Sequence, residues 1–129
     1  MLAAIRDYFS SAFGWQHTIS IGKIDNNSKR AICFYTSNTA RAAMHTFGGK
    51  VLQSYQHKAV TILLRFGMNK AEAEAAAQEI FDFFDEAQFE LNGKHAFALS
   101  AYEGPIDLGT DANGVFEYSL EFDFYVKKE

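Results

Sequence analysis

The side chains able to do chemistry are thinly spread. Four histidines, His17, His45, His57 and His95, stand singly. None lies one helical turn from another ligand and there is no cysteine cluster, so the local spacing that builds a zinc site is missing. The histidines read as structural or surface residues, and His57 and His95 could become neighbours across strands. Gly48-Gly49-Lys50 has the ending of a phosphate loop, but the earlier glycine and the Ser or Thr after the lysine are absent. Asp107, Asp111, Asn113 and Gly114 resemble part of a calcium loop without its spacing or its closing bidentate glutamate. A hairpin turn accounts for them more simply. No nucleophile-elbow spacing occurs, and Cys33, set in an apolar run, reads as a buried small hydrophobe.

The most ordered polar set is Glu117, Glu121 and Asp123, on one face of a strand. Paired carboxylates can move protons, yet nothing in the sequence builds a cleft around these three. A solvated sheet face explains them. In a ring they would instead make an acidic wall that repels DNA phosphates and lets a duplex pass. No catalytic, cofactor-binding or metal-ligating residue is assigned, and the chain is not read as an enzyme.

That strand, Val115 to Lys127, is the element around which the rest is organised. Phe116, Tyr118, Leu120, Phe122, Phe124 and Val126 alternate with Glu117, Ser119, Glu121, Asp123 and Lys127; Val115 and Tyr125 are the apolar exceptions on the polar face. A period of two sustained this long marks an antiparallel sheet with one face on a core and the other toward water or a charged partner. Before it, Leu2, Ile5, Phe9, Ala12 and Phe13 recur at helical spacing over Met1–Phe13, with Gly14 as a stop. His17–Ile24 and Arg30–Tyr35 read as strands, and the turn residues between them predict a hairpin. Thr36–Lys50 is irregular, with room for a helical turn at Ala40–Met44. Val51–Phe66 holds a strand whose first half is polar and is expected to project beyond the core. Asn69, followed three residues later by Glu72, opens an alanine-rich helix running to about Asp85. Asn92-Gly93 and Asp111–Gly114 are turns, with a strand at Lys94–Tyr102 between them. The expected order is α, β, β, loop, β, α, β, β. This is an α+β fold: an antiparallel or mixed sheet with an N-terminal helix and one longer helix on one face.

Length and charge bound the rest. The 129 residues make one domain, 1–129, long enough to bury roughly two-thirds of its unfolded surface without staples. Net charge is -4, which disfavours a nucleic-acid binder held by phosphate contacts. The longest apolar run, Ala59–Leu64, is too short to span a bilayer. Met1–Phe13 lacks a signal peptide's charged start. Aromatic residues make up 16% of the chain, more than one small core is expected to bury, so some are expected at an interface.

Several segments, in order, resemble a known family. They are Ala59-Val60-Thr61-Ile62-Leu63-Leu64-Arg65, then Ala71-Glu72-Ala73-Glu74 continuing to Glu79-Ile80-Phe81, then Gly104-Pro105-Ile106-Asp107-Leu108-Gly109, the turn at Asp111–Gly114, and Phe116 to Phe122. In this order and spacing the chain is similar to the tail-terminator type of minor capsid protein of long-tailed phages and prophages. The resemblance implies a virion structural protein with no catalytic residues. It implies a homo-oligomeric ring, usually a hexamer, that caps the tail tube and helps join tail to head. Its partners would be its own copies, the tail-tube protein and a head-completion protein, with assembly in the host bacterial cytoplasm and no cofactor, membrane or sequence-specific nucleic acid. The loop after Thr36 and the polar half of the next strand would then form contacts, with Arg41, Phe47, Tyr55 and His57 as candidates. Two alternatives stand: another neck or tail component of the same fold, and a cone-shaped ligand-binding or isomerase-like domain whose Phe-rich face lines a pocket.

Overall fold

A computed structural model describes residues 2–24, 27–37 and 55–128. In chain order the elements are α1 (Leu2–Phe13), β1 (Thr18–Ile21), β2 (Arg30–Thr36), β3 (Tyr55–Phe66), α2 (Lys70–Phe84), β4 (Gln88–Leu91), β5 (Lys94–Ser100), β6 (Ile106–Thr110) and β7 (Phe116–Lys127). The strands form one mixed sheet in the order β1-β2-β3-β7-β5-β4, with β6 also paired to β7. The α+β architecture holds, with both helices packed against one face of the sheet.

β7 is the spine. One edge runs antiparallel to β3 without a break, from Tyr55 opposite Lys127 to Arg65 opposite Glu117. Its other edge is shared between β5, beside the C-terminal half, and β6, beside the N-terminal half. Tyr118, Leu120, Phe122, Phe124 and Val126 are buried on the helix-facing side, as the alternation requires. Over Phe122–Val126, however, burial is continuous. Asp123 and Tyr125, which point to the opposite side, are taken up by side chains of β3 and β5.

Asn69 caps α2, its Oδ1 accepting from the Glu72 amide at 3.1 Å. The reciprocal half of the expected capping box is replaced: the Glu72 carboxylate takes Arg30 at 3.3 Å. Ala73 and Ala77 are wholly buried and let the helix lie close to the sheet, while Ile80, Phe81 and Phe84 fill its far end. α1 stops where Gly14 takes a φ of +80°. Its Phe9 reaches Phe34 of β2 and Phe84 of α2 at centroid distances of 5.6 Å each.

Three expectations change. β1 and β2 do not form a hairpin; they pair in parallel, Thr18 opposite Ala31 and Ile21 opposite Phe34. The short connection carries the chain back to its starting level, because the antiparallel partner of β2 is β3, on its other edge. The polar half of β3 does not project: Tyr55–Ala59 lies along Lys127–Asp123 of β7. Two short strands, β4 and β6, add to the expected order. β4 folds onto β5 through Asn92-Gly93, both at positive φ, and β6 carries an irregularity between Asp107 and Gly109. Most aromatic rings among the described residues lie in the core or pack against it. Among the described residues the exposed large apolar side chains are Met68, Leu99, Tyr102 and Leu108.

Phe84 is the ring on which this core converges. It is fully buried and lies within 6.2 Å of the rings of Phe9, Phe34, Phe83, Phe122 and Phe124. Phe84→Ala should therefore lower the unfolding free energy by about 3–5 kcal/mol, read from urea denaturation.

Candidate functional site: the polar face of strands β3 and β7

The register of β3 against β7 places Tyr55, His57, Ala59, Thr61, Leu63 and Arg65 beside the odd-numbered residues of β7. Glu117, Glu121 and Asp123 therefore share a face with Tyr55 and His57. Arg41 and Phe47 lie outside the described residues.

Each of the three carboxylates meets a partner within the sheet. Arg65, only 3% exposed, donates from Nη1 to Glu117 at 2.9 Å and to Asp111 at 2.7 Å. Its Nε donates to the Ser28 carbonyl at 3.4 Å, tying the turn before β2 to the turn before β7. Glu121 accepts from the Ser37 hydroxyl at 3.1 Å and from Thr61 at 3.5 Å. Asp123 lies 2.8 Å from His57 Nε2. The acidic stripe is thus half-buried and laced to β3, with Asp123 only 6% exposed.

Beyond Asp123 the face turns aromatic. Tyr125 stacks on Phe97 of β5 at 4.9 Å, and His57 lies against Tyr125 at 5.1 Å. The Tyr55 ring meets Phe97 edge-on, and its hydroxyl is 2.9 Å from His95 Nδ1. His57 and His95 therefore flank one aromatic cluster but take different partners. Among the described residues no three metal-ligating side chains gather.

The His57–Asp123 pair is the arrangement nearest to catalysis, since an imidazole oriented by a buried carboxylate is half of an acid/base relay. Sequence reasoning weighed the two residues separately and did not join them. The diagonal across the ladder (His57 opposite Tyr125, two residues beyond Asp123) joins them only once the register is known. No described nucleophile hydrogen-bonds to the pair, and the ring is pressed onto Tyr125. The pair works as a cross-strand staple.

A second polar staple lies at the start of α2. Lys70 bonds Asp107 of β6 and lies 3.5 Å from the Tyr118 hydroxyl. Lys70 holds the Asp107 carboxyl below its ordinary value, helped by the Gly109 amide, and Asp107 in turn raises Lys70. The Asp111 carboxyl is also held down, first by the Val115 amide, then by Arg65 and the Asn113 amide. Asp111 thus closes the turn before β7 and anchors Arg65.

The sign of the pH effect follows. A carboxyl depressed in the folded state stabilises fully above its unfolded value, near 3.9, and loses that contribution as pH falls through its folded value. Arg65→Met removes part of what depresses Asp111 and leaves it facing Glu117. The variant should be clearly less stable than wild type at pH 7, and the gap should narrow below about pH 4. Urea unfolding at pH 7 and pH 3 measures both.

A sequence model of the bacteriophage tail terminator protein matches residues 11–128. Comparison with curated proteins gives no match. A solved structure of a protein without a descriptive name superposes with a TM-score of 0.58, covering 100% of this chain and 97% of its own, at 12% sequence identity. At that identity the likeness speaks to the fold. The family match runs from the end of α1 through every strand to the last residues of β7, and on it this chain belongs to the bacteriophage tail terminator protein family.

Proposed function

We propose that this protein closes the growing phage tail as a homo-oligomeric ring, a hexamer, that caps the tail tube and offers a surface for joining to the head. The observation that carries the reading is the family match over residues 11–128. Assembly takes place in the host cytoplasm, and the partners are further copies of the chain, the tail-tube protein and a head-completion protein.

The molecule has features suited to the role. Met68, Leu99, Tyr102 and Leu108 are exposed apolar side chains on loops and strands at the rim of the sheet, as subunit contacts need. Tyr55 and His57 border the segment carrying Arg41 and Phe47, and these four are the proposed contact residues. The Glu117, Glu121 and Asp123 face would present partly neutralised acid to whatever passes or docks there. A ligand-binding cone has less to recommend it. The Phe-rich face is closed by the rings of α1 and α2, with Phe84 against Phe122 at 5.6 Å and against Phe124 at 5.5 Å.

Two measurements test this. The purified protein, added to polymerising tail-tube subunits, should stop elongation and give tubes ending in a ring. Tubes of unchanged length, with the protein remaining a free monomer, would refute the reading. In the same assay Arg41→Glu or Phe47→Ala should impair capping while leaving the thermal midpoint almost unchanged. Equal loss of capping and of thermal stability would remove those two positions from the interface.

A further inference from the structure

On the helix side of the sheet, where α1 gives way to β1, an open cavity of about 170 Å³ is lined by Phe13, Trp15, His17, Phe66, Ala76 and Glu79. We infer that it is a binding site for a single arginine side chain carried by a partner protein. The volume suits one long side chain and falls below that of most cofactor and small-molecule sites.

The walls are aromatic and set at angles to one another. Trp15 meets His17 at 5.1 Å and 81°, His17 meets Phe66 at 5.8 Å and 85°, and Trp15 meets Phe66 at 6.2 Å and 54°. None of these pairs stacks face to face, and all three rings line the cavity. The Trp15 indole is held in place because its Nε1–H donates to the Thr18 carbonyl at 3.0 Å. Ala76 of α2 contributes only a methyl group, leaving the space clear. Glu79, one turn further along the helix, brings the one carboxylate of the lining.

Ring faces attract cations, and a guanidinium is planar, weakly hydrated and able to stack while forking onto a carboxylate. The chain makes the same combination beside the cavity with its own residues. The Arg30 guanidinium lies 4.8 Å over the Phe66 ring and is held by Glu72, seven residues before Glu79 on the same helix. Glu79 with the Trp15 and His17 walls repeats that pairing of ring and carboxylate, but with space where the arginine would be. The lining holds one carboxylate, Glu79, and no lysine or arginine, and the Arg30 charge beside it is already met by Glu72.

Trp15 is the only tryptophan, so its single indole N–H resonance reports on this cavity alone. The test is an NMR titration of the intact protein at pH 8 with N-acetyl-arginine methylamide, and with the neutral citrulline counterpart. The arginine compound should shift the Trp15 indole signal saturably, with a Kd in the millimolar range, and the citrulline compound should bind at least about tenfold more weakly. Glu79→Gln, at an exposed position, should weaken arginine binding by about tenfold without altering the thermal midpoint. An unmoved Trp15 signal, or equal shifts with arginine and citrulline, would overturn the assignment. So would undiminished arginine binding by Glu79→Gln.

Discussion

The fold rests on the ladder between β3 and β7. Every other strand is placed by it: β2 lies on the outer edge of β3, and β5 and β6 divide the outer edge of β7. A slip of one residue would turn Arg65, Thr61 and His57 toward the phenylalanine core and expose Ile62 and Leu64. The register is pinned from both sides. On the helix face, Val60, Ile62 and Leu64 pack with Leu120, Phe122 and Tyr118. On the opposite face, Arg65, Thr61 and His57 each meet a carboxylate. The acidic residues of β7 therefore have a structural role whether or not they also meet another protein.

This division of labour accounts for the burial of Thr61, Arg65 and Asp123 on the polar face of the sheet. Burying a carboxylate needs a hydrogen-bonded or charged partner, and Asp123 has His57. Burying Arg65 needs acceptors around its guanidinium, which Glu117, Asp111 and the Ser28 carbonyl supply. The result is a rigid platform with polar specificity on one side and a packed aromatic core on the other. Such a platform fits a structural protein of the phage tail, which must hold its shape while its rim makes contacts.

Much of this was legible in the residues. The helix behind Asn69, the stop at Gly14, the turn at Asn92-Gly93 and the alternation of β7 each depend on local rules, and each is found where those rules put it. What stayed hidden depends on partners distant in sequence. Gln88–Leu91 and Ile106–Thr110 are too short to show a period, and they become strands because β5 and β7 offer them edges. The turn residues after β1 announce a reversal without saying which edge β2 will take. Arg65, Thr61 and His57 of β3 meet Glu117, Glu121 and Asp123, and only the register names those pairs. Tyr125 looks like an exception to the alternating pattern until Phe97 is seen against it, and Asp123 looks like a solvated carboxylate until His57 is.

The proposed ring would repeat this platform around an axis at the end of the tail. Electron cryomicroscopy of intact virions at the head-proximal end of the tail tests it most directly. The account predicts a single closed ring of this chain seated on the last layer of tube subunits, with the segment before Tyr55 at a subunit or tube contact. Density for the chain at some other position in the tail, or a terminal ring built of a different protein, would contradict it.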